Sequence, residues 1–587
     1  MKKNNNVAGF TLAEILVSMT IFTMITYFGY LAYANILESI TRSQLRNEAI
    51  SLIENEIEII RNMPYGDIGI FGGYPIGKLS AEKNVSSGGV NFQIKTTVRN
   101  IDDPFDGILG GSPNDTAPAD YKIIEFEVSC LNCRNFIPFS MTSTIAPKGL
   151  ESASNNGSIF INVFDASGLS VSGANVQVIN NAINPAIAIN DITNNDGILQ
   201  LVDFPTSTSA YEITVSKSGY TTEKTYPIGG IGNPNPLKPH ATVGQQQVTS
   251  ISFSIDKTST LNISAADKMC VVAPNIDFLM EGTKLIGAEP DVLKYSTTSA
   301  TDASGQKIIN NIEWDNYNFI NMNGIYDFAG ISSLLPLTIN PNTISNLKFV
   351  MEQKNPKSVL IIASENGQFI DDVNINLKKT GYDKILDTGR NYFSQTDWSG
   401  SNYFGQSGGI DDSVIGEIKM LANGGKYSTS TEEWLVSNTF DLGTTSTTFF
   451  GIDWQPAIQP AQTGTDSLKI QIAGNNDNNT WNFLGPDGAT NTFYTATGTQ
   501  ISAIHNGNQY LRYKVFMKTQ DENFTPNLEN ISFNYRSSCI ISGQVLFSGL
   551  SSGAYNLTAQ KSGYQLATST ISISNDWQEN KIEMVRN

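Results

Sequence analysis

Glu14 is the residue of the N-terminal region whose chemistry is most constrained by its surroundings. It is the only charged residue between Phe10 and Leu37, an apolar segment that would extend roughly 42 Å as a helix and is therefore long enough to span a bilayer. A carboxylate inside a membrane helix costs a few kcal/mol unless it is paired, so the expected partner is an amine. The alternative is an acid about 6 Å along the helix from Phe10, solvated by lipid headgroups and without a role.

The four cysteines are too sparse for a disulfide framework and fit two isolated cross-links outside the cell. Cys130 and Cys133 lie between two strand-like runs, whereas a redox CxxC opens a helix after a strand. We therefore predict a disulfide that closes this turn. Zinc is disfavoured because a structural site needs four ligands and no second CxxC or His pair follows. By count alone, Cys270 and Cys539 remain as a second pair.

Five aspartates lie in one glycine-rich loop between two predicted strands. Calcium takes several oxygen ligands from a flexible loop, which makes this segment a calcium candidate. The spacing does not match an EF-hand, however, and a solvated acidic loop is the commoner structure, so no metal is assigned. The aspartates are Asp102, Asp103, Asp106, Asp115 and Asp120.

Two short patterns resemble catalytic motifs but lack the structural context that those motifs need. Residues 549–553 (GLSSG) have the spacing of a nucleophile elbow, but a strand rather than a helix is predicted after them. Residues 72–78 are spaced like a P-loop, but Leu79 replaces the hydroxyl that would bind magnesium. The two histidines, His240 and His505, stand in unrelated segments, which excludes a zinc peptidase centre. We predict no enzyme activity and no cofactor.

The composition is typical of an exported β-protein. The formal net charge is -18 and only 16% of the residues are charged, with abundant Asn, Ser, Thr and Gly between short apolar runs. This acidity disfavours nucleic acid as a partner, because no local basic patch is visible in the sequence. The length of 587 residues corresponds to roughly four domains.

One long helix is predicted to carry Glu14. Past Glu38 the apolar segment continues as an amphipathic stripe, which ends at residues 64–66 (PYG), so the helix begins in lipid and ends in water. The alternative is an ordinary signal peptide cleaved after Ala34. The apolar run exceeds the ~7 to 15 residues of such a signal, and amphipathic helix stands where a cleavage loop should be.

Residues 9–18 (GFTLAEILVS) resemble the prepilin processing motif of type IV pilins and type II secretion pseudopilins. The resemblance implies that a membrane peptidase cuts after Gly9 and methylates the new N-terminal residue, Phe10. Glu14 then becomes the fifth residue of the mature chain, and only Ala13 departs mildly from the pattern. The implied partners are the prepilin peptidase/N-methyltransferase, other pilin subunits and the membrane.

After the helix, alternating residues predict half-buried strands at 90–98 and 124–128, and residues 136–145 close a hairpin over the CxxC turn. A helix followed by a small antiparallel sheet is also what the pilin resemblance implies. The two lines of reasoning agree on a pilin-like head.

An internal repeat follows, and its pattern resembles the carboxypeptidase regulatory-like family of small transthyretin-type β-sandwiches, a name that does not imply peptidase activity. Residues 426–537 loosely resemble galactose-binding-type jelly rolls. Tryptophans in a β-domain more often fill its core than stack on sugars, but Trp481 precedes a turn and is a ligand-binding candidate. The matched repeat segments are 168–176 with 367–375, 211–220 with 555–564, and Thr193–Gly197 with Thr396–Gly400; the other tryptophans are Trp434 and Trp454.

The predicted fold class is α+β, with a long transmembrane and amphipathic helix, a small antiparallel sheet and several all-β sandwiches. The predicted organisation is a leader (1–9), the pilin helix (10–63), the pilin-like head (64–156), a regulatory-like sandwich (157–256), a connecting β-rich region (257–356), a second regulatory-like module (357–425), a jelly-roll-like sandwich (426–537) and a partial C-terminal repeat (538–587).

The predicted function is that of a structural subunit, a minor pilin or a pseudopilin, whose β-domains contact a surface glycan or a protein ligand. The processing motif does not separate a pilus from a secretion filament. The protein would be single-pass in the cytoplasmic membrane with its C-terminal domains outside, and at the cell surface or in a pilus after assembly. The alternative is a membrane-anchored carbohydrate-binding protein that never enters a filament.

Overall fold

The computed structural model describes residues 11–133, 136–149 and 153–587. A long helix precedes a series of mainly antiparallel β-sheets, which confirms the predicted α+β class. The chain divides into two compact units, residues 1–257 with 285–292, and residues 258–284 with 293–587. Gly9 and Phe10, the predicted processing site, lie outside the described residues.

Helix α1 spans Leu12–Arg61, and its two halves differ in environment. The apolar side chains of the first half face outward, with Leu12 77% and Phe22 70% exposed. The second half buries one face against the first β-sheet, because its apolar residues recur at helical spacing. The residues of α1 that become fully buried are Ala49, Ile53 and Ile60.

The first sheet is antiparallel in the order β1-β2-β3-β4. Apolar and polar residues alternate along β2, so one face of the strand packs on α1, and Ile94 on this face lies opposite Val128 of β3. The strands are β1 (Glu82–Ser87), β2 (Val90–Ile101), β3 (Tyr121–Cys130) and β4 (Phe139–Ile145).

A first β-sandwich follows in the same unit. One sheet has the order β10-β9-β6-β7, with β11 on β9, and the other has the order β12-β5-β8, in which the first and last strands, β5 and β12, run parallel. The strands are β5 (Gly157–Phe164), β6 (Asn175–Asn180), β7 (Ile187–Ile192), β8 (Ile198–Phe204), β9 (Ser207–Ser216), β10 (Glu223–Lys224), β11 (Ala241–Val243) and β12 (Val248–Ser254).

The region predicted as connecting β-structure forms a second sandwich with its own core. Its sheets have the orders β18-β13-β22-β20 and β17-β14-β19-β21. The strands of this region are β13 (Ser259–Asp267), β14 (Asp277–Gly282), β15 (Leu285–Gly287), β16 (Val292–Leu293), β17 (Ser296–Ala300), β18 (Gln306–Ile312), β19 (Asp315–Asn321), β20 (Tyr326–Ile331), β21 (Leu337–Ile339) and β22 (Ile344–Gln353).

A third sandwich begins next, and the chain leaves it after Asp387 to form an inserted β-domain. The opening strands are β23 (Ser358–Glu365), β24 (Gln368–Phe369), β25 (Asn374–Lys379) and β26 (Tyr382–Asp387). The strands of the domain that follows are β27 (Asn391–Gln395), β28 (Gly405–Gln406), β29 (Ile410–Asp411), β30 (Ile418–Met420), β31 (Glu433–Val436), β32 (Phe440–Asp441), β33 (Thr447–Gln455), β34 (Leu468–Asn475), β35 (Thr499–Gln500), β36 (Tyr510–Met517), β37 (Asn527–Leu528) and β38 (Asn530–Ser537).

The C-terminal strands return to complete the third sandwich. Its sheets have the orders β26-β25-β40-β41 and β24-β23-β39, with β42 parallel to β23. Residues 357–387 and 544–583 therefore form one domain, and residues 391–537 are inserted in it. From the sequence, we predicted two separate modules here, at 357–425 and 538–587. The closing strands are β39 (Gln544–Phe547), β40 (Gly553–Gln560), β41 (Ala567–Ile573) and β42 (Trp577–Glu583).

The turn after the third main strand shows where the insertion lies. In the first sandwich the Thr193 hydroxyl donates to the Val171 carbonyl at 2.7 Å, and in the third sandwich Thr388 donates in the same way to Ile370 at 2.8 Å. Thr388, and not Thr396, is therefore the counterpart of Thr193. Residues 396–400 follow β27 and belong to the inserted domain.

Candidate functional site

The N-terminus of α1 is closed by a reciprocal capping box between Thr11 and Glu14. The Thr11 backbone N–H donates to Glu14 Oε2 at 2.9 Å, and the Thr11 hydroxyl donates to the same oxygen at 3.0 Å. The Glu14 N–H donates back to the Thr11 hydroxyl at 3.3 Å. Glu14 Oε1 has no hydrogen bond to any described residue, so half of the carboxylate remains available to a second donor.

Within the described part of the chain, α1 is the one helix long and apolar enough to cross a membrane. Its outward-facing apolar half carries a row of hydroxyl side chains that are satisfied within the helix. Thr20, for example, donates to the Leu16 carbonyl at 2.7 Å and to the Val17 carbonyl at 3.0 Å. These hydroxyls therefore cost little in an apolar surrounding. Glu14 remains the only side chain of this half, from Leu12 to Leu37, that is charged at neutral pH.

The structure joins the cysteines in two disulfides. Cys130 and Cys133 are linked across the turn after β3 with a Cα–Cα distance of 5.5 Å. Cys270 and Cys539, at a Cα–Cα distance of 5.2 Å, are linked within the second unit although they are 269 positions apart. Both links are cross-links of the fold.

The acidic loop does not gather its aspartates into a metal-binding group. Across residues 11–133, 136–149 and 153–587, no group of three or more His, Cys, Asp or Glu side chains is arranged to hold a metal. The carboxylates instead accept backbone hydrogen bonds, such as that from the Leu109 N–H to Asp102 at 2.9 Å. Burial, and secondarily the neighbouring Asp115 and Asp120, raises the pKa of Asp102 to about 6.

The two short patterns that resemble catalytic motifs lack the helix that each motif requires, as the sequence predicted. Ser551 is followed by strand β40, and its hydroxyl lies 3.2 Å from the Tyr555 hydroxyl and accepts from Lys379 Nζ at 3.1 Å. Residues 72–79 contain no helix. His505 is buried, and the Nδ1 atom of His240 lies 2.9 Å from the Thr225 hydroxyl oxygen. The two histidines therefore belong to separate local environments.

A cavity of about 250 Å³ lies in the first unit between the head, which α1 and the first sheet form, and the first sandwich. Arg99 of β2 lines it and donates to both oxygens of Asp191 on β7, through Nε at 2.6 Å, and to Glu125 at 3.1 Å. The Arg99 guanidinium is therefore already paired with carboxylates of the protein. This network joins the head to the sandwich.

The tryptophans of the inserted domain divide between core and surface. Trp454 is 3% exposed and lies in the core, as predicted for most tryptophans of this domain. Trp434 and Trp481 instead lie on the outer face of the sheet that contains β36, where each ring is covered by a cation. Arg512 lies over Trp481 at 4.2 Å, and Lys514 lies over Trp434 at 4.5 Å.

Sequence reasoning missed Arg512 as a candidate site residue. The signal was present in residues 510–516 (YLRYKVF), because strand alternation puts Arg512, Lys514 and Phe516 on one face and the core residues on the other. What the sequence did not show was which rings lie beside these cations, since Phe404 and Trp481 belong to distant segments.

Comparison with known families identifies the N-terminal segment. Residues 4–26 match the model of the prokaryotic N-terminal methylation motif. The match includes the Gly9 to Ser18 segment, so the presence of a prepilin-type motif is confirmed. It covers the N-terminal segment alone, and no curated protein matches the chain.

Comparison with solved structures returns several matches of low sequence identity. The Bacillus anthracis TIE protein is 12% identical, with 58% of this chain and 71% of that chain covered and a TM-score of 0.16. The shaft pilin SpaA of Lactobacillus rhamnosus GG is 11% identical (34% and 98% covered, TM-score 0.13). GBS52, the minor pilin of Streptococcus agalactiae, is 11% identical (34% and 96% covered, TM-score 0.17). With such low scores, these similarities carry no argument about this chain.

Proposed function

We propose that the chain is a pilin-like structural subunit, a minor pilin or a pseudopilin, that is processed after Gly9 and joins a filament through α1. The observation that carries the proposal is the match to the methylation motif on a helix whose apolar half is exposed and whose other half is packed under a β-sheet. A helix built in this way is anchored in a membrane at one end and holds a folded domain at the other.

The geometry at Glu14 supports a role in assembly. Thr11 occupies Glu14 Oε2, while Oε1 has no partner among the described residues. Cleavage after Gly9 would create an α-amine at Phe10, and the Oε1 atom of one subunit would then accept from the amine of its neighbour. Pairing offsets the desolvation of both charges and sets the stagger between adjacent subunits.

The β-sandwiches are the part that such a filament would display. They form three sandwiches and one inserted β-domain, all after α1, so they would lie outside the membrane. We propose that they contact a ligand at the cell surface or in the pilus. Incorporation in a filament separates this function from that of a surface protein that uses α1 only as an anchor.

Intact mass spectrometry of the natively expressed protein tests the proposal. A mature chain that begins with N-methylated Phe10 is the expected result. A chain that begins at Asn35 would establish cleavage by signal peptidase, and an uncut chain would support the anchored alternative. Filaments are then sheared from cells, and the sheared and membrane fractions are blotted for this protein. The blot shows whether the processed chain leaves the membrane with the filament.

A further inference from the structure

Arg512 lies between two aromatic rings on the outer face of the inserted domain. Its guanidinium carbon is 3.9 Å from the ring centre of Phe404 and 4.2 Å from that of Trp481. Its Nε donates to the Thr439 hydroxyl at 2.8 Å, and the residue is only 9% exposed. Contacts with two aromatic rings and one hydrogen bond therefore restrain the guanidinium.

The other two nitrogens of Arg512 are unused. Among the residues that the structure describes, none accepts a hydrogen bond from Nη1 or Nη2, and no carboxylate pairs with the guanidinium. Neither atom is sealed from solvent. A mostly buried cation without a counter-charge is costly, and burial lowers the pKa of Arg512 from its ordinary value, although the group stays charged at neutral pH. The arrangement is preorganised for an external anion.

The same face offers a second cation. Lys514 is two residues along β36 from Arg512, so its side chain leaves the same face roughly 7 Å away, and it lies 4.5 Å from the Trp434 ring centre. Lys469, farther along the face, is already paired with Glu432 at 2.8 Å. Lys514 forms no ion pair of its own within the described ranges. Two cations are thus left for a ligand in a chain of net charge -18.

We propose that this face binds an acidic polysaccharide, with the Arg512 Nη1 and Nη2 atoms donating to the carboxylate of one sugar and the free face of Phe404 packing against a neighbouring sugar ring. Phe404 is 66% exposed and provides the apolar platform that the C–H face of a pyranose needs. The paired donors of an arginine match a carboxylate in a bidentate geometry. Lys514 receives the next acidic group of the polymer. This assignment rests on the display role proposed above and names its ligand class.

The geometry favours a carboxylated sugar over single-stranded nucleic acid. Single-stranded nucleic acid stacks successive bases on several exposed aromatic side chains, whereas Phe404 is the one ring of this site that is mostly exposed. Binding to a phosphate backbone also depends on many cations, and this face leaves two for a ligand. A carboxylate on a sugar ring requires one arginine fork and one apolar surface, and both are present.

Binding is tested with the full chain in detergent micelles over immobilised polygalacturonate, neutral dextran and oligothymidylate, at low and high ionic strength. Wild type is expected to bind polygalacturonate in a salt-dependent manner. Arg512→Gln and Phe404→Ala should each weaken binding by about tenfold or more. Because the Phe404 side chain is mostly exposed, Phe404→Ala tests the site even if Arg512→Gln impairs folding. The matched control is Arg586→Gln, which removes an arginine stacked on Tyr564 at 5.7 Å but already paired with Glu365 at 2.6 Å.

The proposal is overturned if polygalacturonate does not bind, if dextran binds equally well, or if oligothymidylate binds as tightly or more tightly. Unchanged affinity in both Phe404→Ala and folded Arg512→Gln would overturn it as well. Binding in micelles does not require a filament. Failure here therefore leaves the assembly role intact, and failure of assembly leaves this measurement unaffected.

Discussion

Gly197 and Gly543 occupy equivalent positions in two different sandwiches. The Gly197 carbonyl accepts from the Val163 N–H at 2.8 Å, and the Gly543 carbonyl accepts from the Ala363 N–H at 2.8 Å, each on the first strand of its sandwich. Both glycines have a positive φ, 72° and 67°. Each lies so close to that strand that a Cβ atom at its position would collide with a backbone carbonyl of the strand. In the first sandwich three residues separate Thr193 from Gly197. In the third, the whole inserted domain separates Thr388 from Gly543.

This equivalence predicts that the third sandwich folds without its insertion. We expect this sandwich to be retained in a chain whose residues 389–542 are replaced by Asn-Asn-Asp, the sequence of the short turn at 194–196. The chain also carries Cys270→Ser, because the disulfide partner Cys539 is lost. Deletion of residues 538–587 should instead unfold it, because β39 to β42 supply much of its core and the loss exceeds the ~5–15 kcal/mol stability of a domain. Limited proteolysis separates these outcomes, and equal protection of residues 358–387 in both variants would contradict the prediction.

Substitutions at Glu14 can separate charge pairing from helix capping. Glu14→Gln preserves a capping-box residue but removes the charge, so it should lower incorporation into sheared filaments nearly as much as Glu14→Ala if the carboxylate pairs with an amine. Thr11→Val removes the capping hydroxyl and should reduce incorporation less. Processing should be intact in all three. Full incorporation of Glu14→Gln would show that Glu14 acts only as a cap.

The ion pair between Arg99 and Asp191 should stabilise the contact between the head and the first sandwich. The side chains are only 25% and 5% exposed, so Asp191→Asn should lower the unfolding free energy of this unit by about 2 kcal/mol while Glu125 still pairs with Arg99. The control is Glu38→Gln in the exposed Arg42–Glu38 pair, for which no more than about 0.5 kcal/mol is expected. Chemical denaturation measures both, and equal effects would mean that burial does not strengthen the Arg99 pair.

The inserted domain should lose stability in mild acid through His505. Burial lowers the pKa of His505 to about 4, whereas the unfolded residue titrates near ~6.5. Between these values the unfolded state binds the proton and the folded state does not, so stability is complete above ~6.5 and falls as the pH drops toward ~4, by up to about 3 kcal/mol. Calorimetry of wild type and His505→Phe tests this. A thermal transition of this domain with the same acid dependence in both proteins would rule His505 out.

The disulfide between Cys270 and Cys539 should stabilise the second unit. Mapping of peptides without reduction is expected to find this link and the Cys130–Cys133 link in exported protein. Cys270→Ser with Cys539→Ser should lower the unfolding free energy by about 2–4 kcal/mol, because a long loop is no longer closed in the unfolded chain. The disulfide between Cys130 and Cys133 closes a much shorter loop, so the double substitution of these two cysteines is the milder comparison. Free thiols at Cys270 and Cys539 in exported protein would contradict the assignment.

Local sequence determined the N-terminal part of this protein. The apolar run, the single acid at Glu14 and the amphipathic stripe that follows are properties of neighbouring residues, so helical periodicity and the methylation motif were sufficient to predict α1 and its two environments. The repeats were also readable, because strand alternation and turn residues recur in each copy. These signals depend on short spacings in the chain.

Only the tertiary structure decided which distant segments belong together. The opening and closing halves of the third sandwich are both visible in the sequence, but nothing local states that strand β25 pairs with β40 across an inserted domain. In the same way, the Arg512 face was readable as strand alternation, whereas its position between Phe404 and Trp481 was not. Pairing and stacking are contacts between residues remote in sequence, and their free energy depends on the packed geometry of the whole domain rather than on any spacing along the chain.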